Sequence, residues 1–79
     1  MKHFLMRYER STGTLVSLKQ FSDPAEASTA RLALERRLFA QGVDHEVVIL
    51  EAASEAALRK THARYFMTPR EIVESFSKP

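Results

Sequence analysis

Ser22-Asp23-Pro24-Ala25-Glu26, read together with Gln41-Gly42, decides the fold. Asp23 can accept a backbone N–H as the helix N-cap, and Pro24 fits the first helical position, where its missing N–H costs nothing. Glu26 completes a spacing like that of a capping box. Gly42 supplies the left-handed stop. The stretch therefore predicts a helix from Pro24 to about Gln41, with firm ends.

Working outward from that helix, the N-terminal side alternates. His3 to Glu9 reads as a strand, with Phe4, Met6 and Tyr8 on one face and His3, Leu5 and Arg7 on the other. Arg10-Ser11-Thr12-Gly13 is a turn with Gly13 free to take a positive φ, and Thr14 to Phe21 returns as a second strand. On the C-terminal side, Val43 to Ala52 reads as a third strand whose centre, Val47-Val48-Ile49-Leu50, is apolar on both faces. Ser54 then caps a second helix through about Tyr65. Thr68-Pro69-Arg70-Glu71 repeats the cap and proline pattern, so a short third helix and a fraying tail are expected over residues 67–79, at a dimer interface if one exists.

The expected fold is α+β, of order ββαβα with an additional short helix. With β3 beside β1, the simplest antiparallel sheet has the order 2-1-3 and helices packed on it. The 79 residues suffice for one domain only, because two cores would each be too small to offset their chain entropy.

Composition excludes some chemistry. There is no cysteine, so disulfides, thiolate metal sites and cysteine nucleophiles are ruled out. Gly13 and Gly42 are the only glycines, so no glycine-rich phosphate loop exists. No serine has the context of a nucleophile elbow. His3, His45 and His62 lie on different expected elements without metal-ligand spacing, so neither metal nor cofactor is expected. Asp44 and His45, adjacent on a strand, would point to opposite faces and not pair. His62 beside Leu58, Thr61 and Tyr65 suits a packing histidine. With no catalytic motif found, no enzymatic activity is expected.

No run approaches the ~20 apolar residues of a membrane span, and the apolar run after Met1 is too short for a secretory signal. A cytoplasmic location is therefore the expectation. The net charge is +2 and unevenly spread. Four acids (Asp44, Glu46, Glu51, Glu55) precede four bases (Arg59, Lys60, Arg64, Arg70).

The anomaly is surplus apolar surface. At ~100° per residue, Ala27, Ala30, Leu34 and Leu38 form the stripe of the first helix that faces the sheet, yet Leu32 and Phe39 fall nearly opposite. If both helices share one sheet face, Val48 and Leu50 look away from them too. Ile72, Val73 and Phe76 form the apolar side of the third helix and cannot cover both surfaces. The expected function is a non-enzymatic protein-interaction domain that is homodimeric through Leu32, Phe39, Val48, Leu50, Ile72, Val73 and Phe76. The alternative is a nucleic-acid-binding module using Arg36, Arg37, Arg59, Lys60 and Arg64, with Tyr65 and Phe66 as stacking faces.

Overall fold

A computed structural model describes residues 1–67 and residue 70. Strands β1 (Lys2–Glu9) and β2 (Thr14–Phe21) form a hairpin, followed by helix α1 (Pro24–Gln41), strand β3 (Glu46–Ala52), helix α2 (Glu55–Thr61) and a 3-10 turn (Ala63–Phe66). The sheet has the order β2-β1-β3, and β1 is antiparallel to both neighbours. The α+β class and the 2-1-3 order are those expected from the sequence.

The caps hold the elements where the residues predict. Asp23 Oδ1 accepts from the Ala25 N–H at 2.9 Å, and Ser54 Oγ accepts from the Ala57 N–H at 3.1 Å. Gly42 closes α1 at φ 67°, and Gly13 turns the hairpin at φ 68°.

Two boundaries differ from expectation. The third strand starts at Glu46 rather than Val43, because the Val43 N–H is spent on the Leu38 carbonyl at 2.9 Å, in the Schellman closure that ends α1. The second helix stops at Thr61 rather than Tyr65. His62 leaves helical geometry at φ −125°, ψ 43°, and the chain tightens into the 3-10 turn. The third helix, with Ile72, Val73 and Phe76, lies outside the described residues.

The two helices do not share a sheet face. Leu5 and Arg7 lie under α1, beside Ala30, Leu34 and Arg37. Phe4 and Met6, which alternate with them along β1, form a core with Ala52 and with Leu58 of α2. Alternation along a strand makes these opposite faces, so the sheet lies between α1 and the α2 turn region. Val48 and Leu50 pair across from Met6 and Phe4 and pack, half-buried, against that core. The sheet face that looked uncovered is thus covered by the chain's own C-terminal elements. Among the described residues, Phe4, Met6 and Leu58 are the largest fully buried side chains, each stabilising by roughly 1.5–3 kcal/mol through removal from water.

The two sheet edges differ. On β2 the pairing shifts between Arg7↔Ser17 and Tyr8↔Leu15, which leaves Val16 as a bulge, and Lys19 follows three residues on. A bulge and a lysine are devices that discourage further strand pairing. The β3 ladder runs without a shift from Lys2↔Ala52 to Tyr8↔Glu46.

Candidate functional site

The outward side of α1 carries two of the large apolar groups that are exposed among the described residues, the others being Met1 and Val16. Residues seven apart on an α-helix lie two turns along nearly the same line. Leu32 and Phe39 have that spacing, with Glu35 and Arg36 between them, and are 50% and 90% exposed. Phenylalanine almost fully in water is the least expected placement in this structure, since burying its ring stabilises a fold by kilocalories. Ala25, Ser28 and Thr29 continue the stripe toward the helix start with small side chains, all exposed. Arg31 donates to Glu35 Oε1 at 2.6 Å along one flank.

A polar network closes the hairpin end of the sheet. Arg7 Nε–H donates to His45 Nδ1 at 2.9 Å, and His45 Nε2 lies 2.9 Å from Glu9 Oε2. A neutral imidazole has one donor and one acceptor nitrogen. Since Nδ1 accepts from an arginine, Nε2 carries the proton and donates to Glu9. Thr12 donates to the other Glu9 oxygen. The Thr12 hydrogen bond, then that of His45, holds the Glu9 carboxyl below the usual glutamate range despite some desolvation. Beside this group, Tyr65 OH donates to Glu46 Oε1 at 3.0 Å, and Arg10 Nε stands 3.5 Å from Glu46 Oε2. Its bond to Glu46, then burial, pushes the Tyr65 hydroxyl above the usual tyrosine range. Tyr65 also meets Tyr8 edge to face, at 5.1 Å between centroids.

The strand-face argument against an Asp44–His45 pair holds for those two, yet His45 finds its carboxylate elsewhere, in Glu9, 36 residues away. Nothing local in the sequence signals a partner at that separation. Both imidazole nitrogens are engaged, so the arrangement fixes the β1–β3 end and offers no free nitrogen to a substrate. His3 stands 3.6 Å from Glu51, and His62 is half-buried with its ring 6.4 Å from that of Tyr65, as a packing histidine would be. Among the described residues no three histidine, aspartate or glutamate side chains gather as metal ligands.

The basic residues divide. Arg36 and Arg37 lie on α1, while Arg59 and Lys60 lie on α2 and Arg64 on the 3-10 turn, beyond the sheet's other face. Arg59 pairs with Glu55 at 3.6 Å and lies over the Phe66 ring at 4.4 Å. The fold does not join the five into one patch. Of the apolar set, Leu32 and Phe39 share the outer stripe of α1, Val48 and Leu50 lie inside on the far side of the sheet, and Ile72, Val73 and Phe76 fall outside the described residues. No described helix is long and apolar enough to cross a membrane. No family model, no curated protein and no solved structure matches this chain.

Proposed function

We propose that the protein is a non-enzymatic association domain whose first partner is a second copy of itself, docked through the outer stripe of α1. The observation that carries the reading is Phe39, 90% exposed and in line with Leu32. The stripe is self-complementary. A two-fold axis between Glu35 and Arg36, with the two α1 helices antiparallel, sets Leu32 against Phe39 of the partner subunit. The same axis sets Glu35 beside Arg36 of the partner subunit, acid against base. Isologous pairing of one patch with itself is the commonest way to build a dimer.

The scale of the contact sets the affinity. Two 18-residue helices are each about 27 Å long, and each brings two large apolar side chains. Such a seam falls at the small end of specific interfaces. A concentration-dependent dimer of micromolar or weaker affinity is expected.

Sedimentation velocity over a range of protein concentrations tests this. The wild-type mass rises toward the dimer, while Leu32→Glu and Phe39→Glu stay monomeric and folded by circular dichroism. Glu35→Arg or Arg36→Glu alone weakens the dimer, and the double exchange restores it. A strictly monomeric mass at high micromolar concentration overturns the reading.

A further inference from the structure

A groove on the sheet-facing flank of α1 is built differently from the outer stripe. It holds about 600 Å³ between α1 and the β1–β2 half of the sheet. Its origin is legible in residue size. Where α1 passes Ser17 and Lys19, its side chains are Ala30 and Ala33, too short to fill the gap to the sheet. Leu5 and Leu34 give the floor an apolar surface.

Three cations border that floor: Arg7, Lys19 and Arg37. No acidic side chain lines the groove among the described residues. Among the described residues Arg37 forms no ion pair, and the Lys19 ammonium lies over the Phe21 ring, 5.2 Å from its centroid. Arg7 spends Nε on His45, which fixes the guanidinium, and its charge also acts on the Glu9 carboxylate. Positive charge at the rim of a trough with an apolar floor is complementary to a molecule that is anionic at one end and aliphatic along its length. The volume suits one small ligand.

We propose that this groove binds a single-chain amphipathic anion, an aliphatic chain ending in a carboxylate or phosphate group. The chain lies over Leu5, Ala30, Ala33 and Leu34, and the head group takes charged hydrogen bonds from Arg37 and Lys19, beside the Arg7 guanidinium. Head-group charge makes the site selective, because an alcohol of equal chain length leaves those donors without an anion. The site does not depend on the dimer. The groove is centred roughly 160° around α1 from the Leu32–Phe39 line at 100° per residue.

The test is amide NMR titration of the full chain with dodecanoate, dodecyl phosphate and dodecan-1-ol, each below its aggregation limit. Saturable shifts are expected at Leu5, Ser17, Lys19, Ala33 and Arg37 with at least one of the two anions, and whichever binds identifies the head group. Lys19→Gln and Arg37→Gln, both at exposed positions, each weaken anion binding by about tenfold, the scale of one charged hydrogen bond. Ala33→Met fills the trough and abolishes binding. The proposal fails if neither anion gives saturable shifts, or if the alcohol binds as tightly as the anions. It also fails if the shifts fall on Leu32 and Phe39, which would mean adsorption to the outer stripe.

Discussion

Arg7 of β1 donates its Nε–H to His45 Nδ1 at 2.9 Å, so the residue that precedes β3 is tied to the central strand by a bond that also selects the histidine tautomer. With Nδ1 accepting, the neutral ring must be protonated on Nε2, where Glu9 receives it. Nitrogen-15 NMR of the neutral imidazole is expected to show the Nε2–H form. An Nδ1–H ring would contradict the network. Replacing His45 with Phe leaves Arg7 and Glu9 without this partner in a half-buried site. A loss of about 1–3 kcal/mol is expected in urea unfolding.

Glu9 makes the same end of the sheet sensitive to acid. Its folded-state value lies below the unfolded one, through Thr12 first and His45 second. A lowered carboxyl contributes stability that is present above the unfolded value and is lost as pH falls through the folded one. Melting temperature should therefore drop on the acid side of the ordinary glutamate range. Glu9→Gln should flatten that limb of the profile. An unchanged limb would show that the carboxylate makes no net contribution.

Tyr65 acts at the opposite extreme. Its hydroxyl is raised by donating to Glu46 and by burial, so the neutral form is the one the fold favours. The stabilisation is full below the unfolded tyrosine value, near 10, and disappears as pH rises through the higher folded value. Ultraviolet titration should resolve one late-ionising tyrosine that Tyr65→Phe removes. Near neutrality that substitution should cost about 1 kcal/mol, the net worth of one hydrogen bond.

How much of this was legible follows from range. Asp23, Pro24, Gly42 and Ser54 act within a turn of their own positions, and the elements they bound appear where their chemistry places them. The 2-1-3 order required only that β3 lie beside β1. The layering was not legible, because alternation reveals that a strand has two faces and not which helix takes which. Phe4 and Leu5 are both buried, under different helices, and no local pattern assigns them. The Arg7–His45–Glu9 network depends on contacts across at least 36 residues. The groove depends on what alanines fail to fill. Leu32 and Phe39 were legible because helical periodicity alone sets them opposite the buried stripe.

Leu58 tests the layering directly. It is the α2 residue fully buried against Phe4, Met6 and Ala52, so Leu58→Ala leaves a hole in the core on that side of the sheet. The cost should be about 2–5 kcal/mol, a large part of the stability of a domain this size. Leu34→Ala, on α1 and half-buried at an open groove, should cost clearly less, because water already reaches the site. Equal losses at the two positions in chemical denaturation would mean that α1 and α2 are packed alike.

Gly42 isolates the energetics of a single backbone conformation. It sits at φ +67°, and a Cβ added there would meet nothing within 4 Å. Gly42→Ala therefore carries no clash, and its cost is that of holding an L-residue in the left-handed region, about 1–2 kcal/mol. Asparagine tolerates that region better, so Gly42→Asn should recover part of the loss. A valine there, branched at Cβ, should cost more than alanine. If all three variants unfold at the wild-type denaturant concentration, Gly42 is not the stop for α1, and the Val43-to-Leu38 bond alone closes the helix.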